Sequence, residues 1–274
     1  MKKVLIAVVA LVMLVGVHSA KAWGGFGHSA IVYVAEQHLT PEAKAKCRYY
    51  LRHTLPYYAS WMDQWRTIPE FKSVNNPHSI VAMPDGVNID WGGKPRGRAM
   101  GHLVNMMNEI GDGKYKNLPD SLVRQRLINL LHYLPDMHCP VHVGFPKEYF
   151  PQYRYQIYKK DKPLKYHSFW DGSPGFKRKN WTLERYAEEV DKISPKQAKK
   201  WVKGSYDDWA RDIIKQAHRC YIITPENTDI TKMSKEQVEQ VHELADEMAM
   251  KAAYRLAYIL NKLFKEKESI KSIV

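Results

Sequence analysis

The chain has 274 residues, a formal net charge of +13, and three cysteines, Cys47, Cys139 and Cys220. That length suits one large domain or two small ones, and three cysteines exclude a fold built on a disulfide framework. The basic excess favours polyanionic partners, nucleic acid or anionic lipid; its plainer reading is solubility, since many lysines fall in solvated-looking runs at 196–203 and 262–271.

Residues 1–22 read as a secretory signal: Lys2 and Lys3, an apolar run from Val4 to Val17, then Ala20-Lys21-Ala22 as the cleavage site. A membrane anchor is the alternative, but the run falls short of the roughly 20 residues that span a bilayer. Cleavage puts Trp23 at the start of an exported protein, periplasmic or secreted. With no second long apolar run, no stable membrane insertion is expected afterwards.

The rest reads as mostly helical. Ile31, Val32, Ala35 and Leu39 recur at helical spacing after His28, and Thr40-Pro41-Glu42 marks a capped helix start. Met100–Ile110 and the leucines between 122 and 134 give two more helices. Residues 76–97 and 143–180, rich in Pro, Gly and aromatics, read as long loops of the functional kind. Ser234 with Gln237 forms a capping box before a long amphipathic helix running from Val238 to Leu263. The expected layout is a single domain over 23–264 with a frayed basic tail at 265–274.

The chemistry concentrates in a few stretches. In LLHYLPDMHCPVHV, residues 130–143, His132 and Asp136 lie four apart, so both point the same way on a helix, and His142 follows. YHSFWDG, residues 166–172, repeats the spacing with His167 and Asp171. Imidazole and carboxylate together suit zinc. One such pair alone is more often a surface hydrogen bond; two pairs plus His142 make a metal site an even reading. His138 reads as a hydrogen-bonding neighbour. Upstream, Asp63 sits among tryptophans and His78 follows a proline.

Together these residues resemble the zinc-dependent single-strand-specific nucleases, or nuclease/3'-nucleotidases, of the zinc-dependent phospholipase C superfamily. The resemblance runs through Trp23-Gly24 to His28, Leu39 to Ala43, Ala59-Ser60-Trp61 to Asp63, Pro77-His78, His132 to Asp136, Pro140-Val141-His142, His167 to Asp171, and Arg255 to Asn261. It implies a mainly α-helical phospholipase C/nuclease-like fold with a trinuclear zinc cleft. By that resemblance one zinc takes Asp63, His78, His132 and Asp136, and another takes His142, His167, Asp171 and water. The third takes His28, Asp136 and the free amine and carbonyl of Trp23. Asp63 also orients the attacking water, and Arg66 contacts the phosphate, unless it forms only a surface ion pair. The implied substrates are single-stranded DNA or RNA, cut to 5'-phosphorylated products, and 3'-nucleotides, cut to nucleoside and phosphate; the protein is expected to be a monomer.

Between His142 and His167, Tyr149, Tyr153 and Arg154 combine aromatic faces with positive charge, as suits unpaired bases. A hairpin packed on the core is the competing reading. The chain departs from the pattern in four places, one being the region around His78, which lacks the usual Tyr-Ile-Asp continuation. Val143-Gly144-Phe145-Pro146 replaces an Asp-x-Gly-Gly-Asn-like turn, Pro135 replaces a glycine and predicts a kink, and Cys139 replaces a glutamine. Cys139 is either a thiol beside zinc or buried packing. Two other functions compete: a phospholipase C acting on lipid headgroups, and a non-enzyme with structural zinc. Asp rather than Glu at 171 favours the nuclease branch.

Overall fold

A computed structural model describes residues 23–65, 78–92 and 98–265. The expected signal at 1–22, Arg66 and the tail after Lys265 lie outside the described residues. The fold is mainly helical, as the sequence predicts. In chain order the helices are α1 (Gly25–Gln37), α2 (Pro41–Leu51), α3 (Trp61–Trp65), α4 (Arg98–Ile110), α5 (Asp120–Met137), α6 (Tyr166–Asp171), α7 (Leu183–Val190), α8 (Pro195–Val202), α9 (Tyr206–Ile223) and α10 (Lys235–Phe264). Four short strands complete it: β1 (Ile80–Val81), β2 (Val143–Gly144), β3 (Ile157–Lys159) and β4 (Lys162–Leu164).

Local chemistry sets the helix ends. The Thr40 side chain accepts the Ala43 amide, with Pro41 at the first position of α2. Ser234 and Gln237 complete the expected capping box of α10. In the strip from Val238 to Leu263, Val238 is half-buried and every other predicted core position is buried.

α10 packs along α1 and also touches α2, α5, α8 and α9; α5 packs against α4 and α2. The core therefore lies around α1, α5 and α10. Polar ties lock the far end of α1: Asn261 donates to the His38 carbonyl at 3.0 Å and accepts the Thr40 amide at 2.8 Å. All three cysteines are buried and unpaired. Among the described residues no helix is long and apolar enough to cross a membrane.

One regional expectation needs correction. The stretch 143–180 is not one long loop: it holds an antiparallel hairpin of β3 and β4, and helix α6. The lysines at 196–203 are solvated as expected: Lys196, Lys199, Lys200 and Lys203 are exposed, on or just after helix α8, which Ser194 and Pro195 start. Tertiary packing and hairpin pairing decide the structure of 143–180, where composition suggests only loop. The helix through Pro135 is unbroken and runs on to Met137.

Candidate metal centre

His132 and Asp136 sit one turn apart near the end of α5, both fully buried. α1 brings His28 and α3 brings Asp63 to the same place, again inside the protein. His78 lies two residues before β1 and His142 one residue before β2. The parallel pairing of Ile80 with Val143 fixes these two histidines relative to each other. α6 supplies His167 and Asp171.

The donor atoms converge on Asp136. Its Oδ1 lies 3.1 Å from His28 Nε2 and 3.9 Å from His142 Nδ1. Its Oδ2 lies 2.8 Å from His78 Nδ1 and 3.1 Å from His132 Nε2. Asp63 stands 3.9 Å from His132 Nε2. Beside this group, His142 Nε2 is 3.2 Å from His167 Nε2 and 3.7 Å from Asp171, and His167 Nε2 is 3.3 Å from Asp171.

Hydrogen bonding does not account for such an arrangement. Both nitrogens of His28, both oxygens of Asp136 and Nδ1 of His142 are buried and make no hydrogen bond of normal geometry. Ring nitrogens face one another in two places, His132 with His78 at 3.1 Å and His142 with His167. Buried polar atoms are otherwise almost always paired, and a cation satisfies converging lone pairs that protons cannot. The donor set of imidazole and carboxylate fits zinc. His132 is already oriented for it: Nδ1 donates to the Ala59 carbonyl at 2.9 Å, turning Nε2 into the cluster.

The charges in the metal-free protein are consistent with this. Burial works against a charge on His132, but Asp136 and Asp63 outweigh it and raise its pKa to about 9. Burial also opposes ionisation of Asp136, yet the surrounding histidines hold its carboxyl well below the usual range. His28 and His142 are pushed down chiefly by burial, His142 to about 3.

The eight histidines and aspartates among the described candidates, from His28 to Asp171, are thus gathered in one place, and Trp23 is tied beside them by its side chain and by the next amide. The Trp23 side chain is buried; its indole N–H donates to the Pro135 carbonyl at 2.7 Å, and the next amide, Gly24, donates to the Asp171 carbonyl at 2.7 Å. These bonds begin α1, which has no side-chain cap. His138 stays out of the cluster. It donates from Nδ1 to the Leu134 carbonyl and accepts from Arg255, and burial pushes its pKa down to about 3.

The proposed substrate residues lie apart from one another in character. Tyr149 is 59% exposed and Arg154 is exposed, its guanidinium turned back to the Tyr153 carbonyl. Tyr153 is half-buried; it stacks on Tyr221 at 3.9 Å and its hydroxyl meets His218 Nδ1 at 2.6 Å. Phe145, in the divergent turn, is buried against Phe150, Tyr153 and His218. Sequence reasoning overlooks His102, which stacks on Tyr133 beside His78. It also overlooks the Ala59 carbonyl, a backbone group with no residue-type signal.

Nuclease P1 of Penicillium citrinum and Nuclease PA3 of Penicillium sp are each 27% identical to the chain over 129 residues. The match covers 44% of this chain and 47% of each relative, so the chain spans about half the length of the curated relatives it matches. The S1/P1 Nuclease family profile matches residues 23–265, nearly the whole described region, and the chain therefore belongs to the S1/P1 nuclease family.

Proposed function

We propose that the protein is an exported zinc-dependent phosphodiesterase that hydrolyses single-stranded nucleic acid to 5'-phosphorylated products and 3'-nucleotides to nucleoside and phosphate. The observation that carries this reading is Asp136: a fully buried carboxylate with three imidazole nitrogens within 3.1 Å and no ordinary hydrogen bond. Three zinc ions would be held by Asp63, His78, His132 and Asp136; by His142, His167 and Asp171; and by His28, Asp136 and the amine of Trp23. Bound zinc supplies Lewis acidity and an acidified water. The chain's own groups do the positioning. Asp63 orients the attacking water, Ala59 and His132 fix the cluster's geometry, and Arg66 grips the phosphate in fork geometry.

Export follows from the signal-like residues 1–22, and the family match beginning at Trp23 supports a cut there. Exposed Tyr149 with Lys147 and Arg154 offers a ring face and positive charge for an unpaired strand. The +13 chain suits a polyanion in either substrate class. Asp171 favours nuclease over phospholipase C. The test is hydrolysis of single-stranded DNA, a 3'-nucleotide and a choline phospholipid by one zinc-loaded, processed preparation. Nucleic-acid turnover with 5'-phosphate products is expected. Lipid turnover alone would establish a phospholipase, and tight zinc binding with no turnover a structural metal site.

A further inference from the structure

We propose that Cys139 is a thiolate ligand of the metal held by His142 and Asp171. The inference rests on the reading of the cluster as a zinc site. The residue is fully buried, and its Sγ lies 3.5 Å from Asp171 Oδ1. Cys139, His142 and Asp171 form one of three groups whose donor atoms all fall within 4.8 Å of one another.

The spacing is that of donors sharing an ion. Zn–S is about 2.3 Å and Zn–O about 2.0–2.2 Å, so adjacent tetrahedral donors stand about 3.5–3.7 Å apart. Sγ and Asp171 Oδ1 match that edge. Two imidazole nitrogens at about 2.0–2.1 Å stand about 3.3–3.4 Å apart, close to the 3.2 Å between His142 and His167. The turn that follows α5 makes this possible. His142 N donates to the Cys139 carbonyl at 2.9 Å, closing a single turn that brings both side chains to Asp171.

Coordination forms the sulfur–metal bond and releases the thiol proton to solvent. It adds a soft ligand to an otherwise nitrogen and oxygen set, which strengthens zinc and cobalt binding over magnesium or calcium. It also takes up a position otherwise open to water. His167, with a side chain 42% exposed, is then the ligand nearest solvent.

The experiment uses the processed full-length protein, stripped with a chelator and reloaded separately with zinc and with cobalt. X-ray absorption at the zinc edge is expected to show a sulfur scatterer at about 2.3 Å. The cobalt form is expected to show a near-ultraviolet thiolate band that survives Cys220→Ala and disappears in Cys139→Ser. Affinity for one metal equivalent should fall at least about tenfold in the serine variant. Full metal loading with visible cobalt bands but no sulfur signal in the unmutated protein would overturn the proposal, leaving Cys139 as a hydrogen-bond donor to Asp171. Failure to load any metal would instead overturn the zinc reading itself, so the two failures are distinguishable. Neither spectrum of the unmutated protein depends on a variant folding.

Discussion

The indole of Trp23 donates its N–H to the carbonyl of Pro135, the residue immediately before Asp136. The start of the domain and the centre of the cluster are thereby joined through one hydrogen bond and one fully buried side chain. Replacing the side chain separates these contributions. Trp23→Phe keeps most of the packing and loses the bond, at a cost of about 1 kcal/mol. Trp23→Ala also opens a cavity and should cost about 3–5 kcal/mol. Urea unfolding of the metal-free proteins measures both; equal losses would show that the bond, not the ring, holds the segment.

Asp136 is the hardest residue to replace. Its two oxygens face His28 on one side and His78 and His132 on the other. Asp136→Asn keeps the shape and removes the charge. Metal content should fall by two equivalents, because in the proposed assignment two ions share this carboxylate. Hydrolysis should fall by more than about 100-fold, beyond the loss typical of residues that merely orient a ligand. Metal analysis beside a steady-state assay checks this, and retention of all metal would contradict a shared carboxylate.

Much of this was legible in the residues, and the exceptions have physical causes. Helical spacing places His132 with Asp136 and His167 with Asp171, and caps at Thr40 and Ser234 mark true helix starts. Helices α7, α8 and α9 carry the same kind of start signal, in Thr182, Ser194 and the Ser205–Asp208 capping box. The β1–β2 pairing could not be read, since two-residue strands leave no periodicity. Nor could the role of Pro135. Its carbonyl accepts from Trp23, a contact between residues 112 positions apart.

Gly86 supports the segment after His78. Its φ is +65°, and an added Cβ would come within 2.5 Å of the Phe150 ring and 3.3 Å of His218. Phe150 has little room to yield, packed as it is on Phe145 and Tyr153. Gly86→Ala should therefore combine left-handed backbone strain with overpacking, costing about 2–4 kcal/mol. Thermal unfolding measures the loss. A neutral result would mean that the loop moves freely away from Phe150.

A second ion cluster lies behind the metal centre. Asp212 accepts from Lys251 at 2.8 Å and from Arg255 at 2.7 Å, and both cations are buried. Burial opposes the Asp212 charge, but Arg255 and Lys251 win and lower its pKa. A lowered carboxylate stabilises the fold above its unfolded value of about 3.9, and that contribution fades as pH falls toward the folded value. Asp212→Asn should cost about 3–5 kcal/mol near neutrality, as for a broken buried pair. The gap between variant and parent should narrow below about pH 4. Unfolding at pH 7 and pH 3.5 measures it; a gap that persists unchanged in acid would assign the loss to packing instead.

The last expectation concerns the chain start. If Trp23 is the mature first residue, its amine and carbonyl can chelate one ion together, which a peptide nitrogen cannot do. A version retaining a few residues before Trp23 keeps every side chain and loses only that amine. The processed protein should bind three zincs and the extended one two, with activity lower by more than about tenfold. The amine must be unprotonated to bind, and its ordinary pKa is about 7.7–8.0. Affinity for the third ion should therefore rise by up to about tenfold per pH unit below that value and level off above it. The extended chain should show no such amine-linked rise. Titration of both forms at pH 6, 7, 8 and 9 decides the matter, and matching stoichiometry throughout would remove the terminus from the metal site.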